Sequence, residues 1–189
     1  MTRSGRLYRD GIAAFALLAL TALFAAILNN RPQAILSGDF NVVDGDSLLR
    51  NGERLRLLGI DAPEYRQQCE RDGGAWPCGR QARTLLVKLL QGGSAECRGN
   101  ARERYDRLLV TCRMNGADLN GEMVRRGMAV SFGSYRSEES EARVAQAGMW
   151  AGSFERPQEF RRAQQAQQAQ GSDPLKKEAD IIRHLAGLD

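Results

Sequence analysis

Histidine is all but missing from this chain: its 189 residues contain one, His184, close to the C-terminal end. That scarcity excludes histidine-dependent nucleases, serine hydrolases built on a histidine base, and phosphohistidine chemistry. The four cysteines (Cys69, Cys78, Cys97 and Cys112) form no Cys-x-x-Cys pair. With a single remote imidazole, zinc has no ligand set of the usual kind. Lysine is scarce beside arginine, and the guanidinium is the better bidentate partner for phosphate. Charge bias is mild, with a formal net charge of +4 and a sequence pI of about 9.1. This suits a phosphate-rich partner without naming one. The length calls for one domain with appendages.

What is present concentrates between Val42 and Glu64, V-V-D-G-D-S-L-L-R-N-G-E-R-L-R-L-L-G-I-D-A-P-E. Asn51-Gly52 separates two alternating segments, Ser47–Arg50 and Arg54–Leu58, and predicts a hairpin because both turn residues tolerate positive φ. Asp44, Asp46, Asp61 and Glu64 then lie on or just beyond paired strands, with Pro63 ending the second. Asp44 and Asp46 are two apart, so on an extended chain they point the same way. Carboxylate oxygens suit a hard cation such as Ca²⁺, Mg²⁺ or Mn²⁺. The alternative is that Asp-Gly-Asp and Asp-Ala-Pro-Glu are turns only. An EF-hand is excluded, because Leu48 and Leu49 stand where an oxygen ligand and a glycine belong.

Three motifs in order, V-V-D-G-D-S, R-L-L-G-I-D-A-P-E and R-Y-D-R-L-L-V at 104–110, resemble the staphylococcal nuclease (thermonuclease) family. The L-N-G-E-M-V-R-R-G-M-A run at 119–129 and G-M-W at 148–150 extend the likeness over about 120 residues, a typical domain length. The resemblance implies a five-stranded oligonucleotide/oligosaccharide-binding (OB) barrel with about three packed helices. It also implies one Ca²⁺ held by Asp46, Asp61 and the backbone carbonyl of Ala62, with Asp44 in the outer sphere. Glu64 matches the general base, Arg56 and Arg107 the phosphate-clamping arginines, and Arg104 with Tyr105 the contacts to a terminal phosphate. DNA and/or RNA would be the substrate.

The chemistry asks for the same residue types. Phosphodiester hydrolysis builds negative charge on equatorial oxygens, which a cation and forked guanidinium donors stabilise. Water needs a base, and without histidine a carboxylate must serve. Two departures from the family pattern are mild, Ala62 and Ser47 for threonines. A third is Asp106 in place of a glycine. Aspartate tolerates a left-handed backbone, but its charge is expected to weaken the hold of Arg107 on phosphate. The competing class is a catalytically inactive module binding nucleic acid or protein. A membrane-tethered scaffold has only composition behind it.

The termini differ in character. Arg3, Arg6 and Arg9 precede an apolar run, Ile12 to Leu28, apolar all round rather than on one stripe. Residues 1–30 therefore read as an N-terminal transmembrane helix acting as signal anchor, or as a cleaved signal peptide. Either places the nuclease-like domain, residues 36–157, on the extracytoplasmic side, periplasmic or extracellular. An even cysteine count in an exported domain reads as two disulfides. Cys97 and Cys112 fall on strands joined by a hairpin, and Cys69 with Cys78 would close a short loop; pairings that join loop to barrel stay open. Within the domain, Tyr65–Arg80 reads as a surface loop. Helices are expected at about 80–90, 118–126 and 137–147, and strands at 94–98, 108–114 and 128–132. Residues 158–189 are a Gln/Ala-rich, low-complexity tail, partly helical or disordered, without evident chemistry.

Overall fold

The computed structural model describes residues 3–29 and 32–171. The chain separates into two compact units, Met1–Ala34 and Ile35–Asp189. His184 and the end of the expected tail lie outside the described residues.

The first unit contains one helix, α1 (Arg3–Asn29). Phe15, Leu18 and Phe24 are all exposed along it, as expected of a run apolar on every side. Among the described residues no helix is long and apolar enough to cross a membrane. The expected transmembrane span is thus not shown among the described residues, where the apolar run forms part of helix α1.

The second unit begins with strands β1 (Ala34–Gly38), β2 (Asn41–Asp44), β3 (Ser47–Arg50), β4 (Glu53–Leu57) and β5 (Ile60–Asp61). Next come β6 (Cys69–Arg71), β7 (Gly74–Trp76), helix α2 (Cys78–Leu89), β8 (Ala95–Arg102), β9 (Leu108–Met114) and β10 (Ala117–Asp118). The described residues end with α3 (Leu119–Arg125), β11 (Val130–Ser131), α4 (Arg136–Val144), a 3₁₀ turn at Gly148–Ala151, and α5 (Pro157–Gly171).

The main sheet runs β1-β8-β9-β4-β3-β2, with β10 also on β9. It is mixed, since β4 meets β9 in parallel while β2–β3, β3–β4 and β8–β9 are antiparallel. It curls as an OB-like half-barrel of α+β type rather than closing. Alternation explains the inner face: Leu108, Val110, Cys112 and Met114 of β9 are buried in turn. They pack with Leu48, Leu55 and Leu57 from the hairpin, Ala82 and Leu86 from α2, and Leu119, Met123 and Val124 from α3. The Asn51-Gly52 turn has both φ values positive, 49° and 82°, the conformation that aligns a two-residue hairpin with strand twist.

One expectation changes. Tyr65–Arg80 is no plain loop, because β6 and β7 pair within it, and Cys69 and Cys78 are buried in a second small core with Val130 and Met149. The described part of the tail, up to Gly171, is helix α5, the helical form being one of the two expected. Pro157 at its first position and Glu159 in its first turn are ordinary helix-start residues. The disulfides are Cys69–Cys78 and Cys97–Cys112, the second joining directly paired residues of β8 and β9. Closing a loop with a sequence separation of 15 removes unfolded-chain entropy, on the order of 3 kcal/mol.

Candidate active site

The hairpin and the segment after it bring four carboxylates and an arginine together. Ser47 of β3 pairs directly with Arg56 of β4, and the Leu57 amide donates to the Asp46 carbonyl at 2.8 Å. Asp46 is thereby carried to Arg56. A short β5–β11 pair, with Val130 opposite Asp61, fixes Asp61 from the other side. Gly45 permits the close approach: a Cβ there would stand 2.8 Å from the Cβ of Ala62 and 2.9 Å from that of Ala82. At Gly79, in the first turn of α2, a Cβ would overlap the Glu64 carbonyl. The loop bearing Glu64 is therefore seated against that helix. Gln67, 1% exposed, accepts from the Glu64 amide at 3.2 Å and donates to the Glu155 carbonyl at 2.6 Å.

Arg56 forks between the two aspartates, with Nη1 2.9 Å from Asp46 Oδ2 and Nη2 2.7 Å from Asp61 Oδ1. Asp46 also accepts from the Ser47 hydroxyl at 2.9 Å and from the Ala62 amide at 3.3 Å. Arg107 donates to Glu103 at 2.9 Å and to the Ser47 hydroxyl at 3.3 Å. An unbroken chain thus runs Arg107–Ser47–Asp46–Arg56–Asp61. Asn120, fully buried, donates to the Leu58 and Val110 carbonyls and accepts from the Cys112 amide. It ties α3 to the turn between Arg56 and Asp61.

Negative charge is crowded here. Burial pushes the Asp46 carboxyl above its usual range, opposed by Arg56 and reinforced by Asp61. Asp44 is pushed up to about 6, first by burial, with the Asp46 and Glu64 charges adding and the Gly45 amide opposing. Hard oxygen donors with surplus charge fit a cation such as Ca²⁺ in chemistry. Among the described residues no group of three or more His, Cys, Asp or Glu side chains that could hold a metal ion is found.

Arg161 of α5, which sequence reasoning passed over, engages two of these carboxylates. Its Nη2 lies 3.0 and 2.9 Å from the two Asp61 oxygens, and its Nη1 2.9 Å from Glu64 Oε1. Burial works against this charge, yet the hydrogen bonds to Asp61 and Glu64 outweigh it and raise the arginine's pKa above its ordinary value. The start signals of α5 were readable; where its arginine lands was not, because Glu64 and Arg161 are 97 residues apart in sequence.

Arg56, Glu64, Arg104, Tyr105, Arg107 and Arg161 share a cleft of about 700 Å³, with Phe132 beside them. Tyr105 and Phe132 are 52% and 59% exposed. Arg104 and Arg107 stack on the Tyr105 ring, at 4.5 and 5.7 Å from its centre. Phe132 was also missed, since a lone phenylalanine after a short strand carries no signal. Asp106 has a φ of 61°, the left-handed conformation anticipated. Its exposed carboxylate lies 3.7 Å from Arg102, while Arg107 pairs with Glu103.

The family model for staphylococcal nuclease homologues matches residues 54–152. Over 121 residues the chain is 35% identical to the succinoglycan biosynthesis protein ExoI of Rhizobium meliloti, covering 60% of this chain and 63% of that protein. A probable staphylococcal-like nuclease of rice, CAN2, is 34% identical over 126 residues, 63% of this chain and 32% of its own length. An uncharacterized endonuclease of Escherichia coli O157:H7 is 31% identical over 121 residues, 58% of this chain and 73% of that protein. The chain therefore spans less than two thirds of the first two relatives.

Proposed function

Since the chain belongs to the staphylococcal nuclease family, we propose that it is a calcium-dependent endonuclease hydrolysing DNA and/or RNA with little sequence preference. The observation that carries this reading is the Arg56 fork across Asp46 and Asp61, with Glu64 beside them in an arginine-lined cleft. Asp46, Asp61 and the Ala62 carbonyl are the residues to hold one Ca²⁺, with Asp44 in its outer sphere. When bound, the ion supplies Lewis-acid neutralisation of the scissile phosphate. Arg56 and Arg107 donate to the phosphate oxygens that gain charge. Glu64 orients the attacking water and accepts its proton. Arg104 and Tyr105 take a neighbouring phosphate, and the exposed Tyr105 and Phe132 rings offer stacking faces for unpaired bases.

One observation favours the catalytically inactive module instead: the Asp61 and Glu64 oxygens are engaged by guanidinium groups. A single assay separates the readings. Purified full-length protein, incubated with single-stranded DNA or RNA, is expected to cleave both with Ca²⁺ and neither with chelator. Binding without cleavage, at neutral to alkaline pH with Ca²⁺ present, would leave the inactive module.

We also propose that the domain acts on the extracytoplasmic side, with residues 1–30 directing it to the membrane. Two disulfides suit an oxidising compartment, and arginines precede the apolar run. A phosphatase reporter joined after Arg162 is expected to be active outside the cytoplasm. Activity only from a cytoplasmic reporter at that junction would overturn the proposal.

A further inference from the structure

Helix α5 lies beyond the segment matched by the family model, residues 54–152, yet it forms one wall of the cleft. Gln158, Arg161, Arg162 and Gln165 all line it, at intervals of three, four and seven residues that mark one helical face. From that face Arg161 reaches Asp61 and Glu64, the residues assigned above to cation binding and to proton abstraction. Both Asp61 oxygens are then engaged by guanidinium groups, because Oδ1 takes Arg56 and Arg161 while Oδ2 takes Arg161. Arg56 alone would leave Oδ2 free of any guanidinium.

We propose that Arg161 is the resident counter-cation of this site: it competes with the divalent ion for Asp61 and Glu64, and passes to a substrate phosphate once the ion binds. The inference rests on the nuclease reading and deepens it. Two cationic groups claim the same Asp61 oxygens and repel one another, so binding of one weakens the other reciprocally. The Arg161 side chain is 32% exposed, with room to swing within a cleft already lined by Arg56, Arg104 and Arg107. A released guanidinium there finds its best partner in a phosphate, through two parallel hydrogen bonds. The arrangement keeps four crowded carboxylates partly neutralised until both ion and substrate arrive. Cation and nucleic acid should in consequence bind with positive cooperativity, since each takes a partner the other has freed.

Calorimetric titration of purified full-length protein with Ca²⁺ alone tests the competition. Arg161→Ala is expected to bind Ca²⁺ about 10-fold more tightly than the wild type, within the usual range of such couplings. With Ca²⁺ present, the same variant is expected to bind a non-hydrolysable single-stranded oligonucleotide more weakly. Arg162→Ala removes an equal charge from the same helix, while the ion pairs to Asp61 and Glu64 are made by Arg56 and Arg161, and controls for net charge and for helix integrity. Equal tightening in both variants would reduce the effect to bulk charge and overturn the proposal. Unchanged or weaker Ca²⁺ binding in Arg161→Ala would make Arg161 a brace for the carboxylates and overturn it as well. If the wild type and both variants bind no Ca²⁺, the calcium reading fails first and the competition fails with it.

Discussion

Replacing Glu64 with glutamine is expected to slow phosphodiester hydrolysis by about 10²–10⁴-fold while nucleic-acid binding persists. The substitution conserves shape and keeps an oxygen to accept from Arg161, which now contacts Glu64 Oε1 at 2.9 Å. The backbone there is held independently of the side chain, through the Glu64 amide to Gln67 and the close seat of Gly79. Folding and the cleft should therefore survive, and what is lost is basicity. The expected range corresponds to about 3–5 kcal/mol of transition-state stabilisation. Single-turnover cleavage rates, set beside oligonucleotide binding by fluorescence anisotropy, separate the two effects. Hydrolysis within a few-fold of wild type would remove Glu64 from the role of base. No histidine in the domain stands ready to replace it.

Local chemistry made much of the fold legible. Asn51-Gly52 required a hairpin because its backbone angles suit few other residues, and β3 and β4 flank it as anticipated. The alternation of Leu108 to Met114 marked β9 residue for residue. Asp118 was readable as a helix start, and its carboxylate caps α3 through the Gly121 amide. The Cys97–Cys112 pairing was one the expected hairpin allowed among others, and the structure forms it. In each case the signal and the contact lie close in sequence or within one repeating pattern.

The misses share the opposite property. The β6–β7 hairpin gave no alternation over its three-residue strands, and its turn, Asp72-Gly73, was lost in a polar stretch. Helix α5 is dominated by Gln and Ala, which favour helix without marking a buried stripe. Its one functional side chain acts across most of the domain's sequence. Asp106 is the sequence neighbour of Arg107, yet its backbone carbonyl accepts from Arg102 and its exposed carboxylate lies 3.7 Å from the same guanidinium.

Substituting Arg56 with lysine is expected to lower kcat by about 10²–10³-fold although the charge is conserved. Arg56 is 17% exposed and uses its two Nη atoms on two different carboxylates, 2.9 Å from Asp46 and 2.7 Å from Asp61. A lysine ammonium is a point donor on a flexible stem, and it can approach one aspartate closely only by leaving the other. Asp46, almost fully buried, leans on this arginine: burial raises its pKa, and Arg56 is the principal opposing influence. Losing the fork therefore loosens the geometry of both aspartates and removes a bidentate donor from the phosphate. If Arg56 contributed charge alone, the lysine variant would retain activity within a few-fold of wild type, and that result would refute the fork. Thermal melting of the variant distinguishes a damaged site from a damaged fold. Arg56→Ala should lower Tm more than Arg56→Lys, because a buried carboxylate left without its partner costs about 3–5 kcal/mol, whereas lysine still places a positive charge beside it.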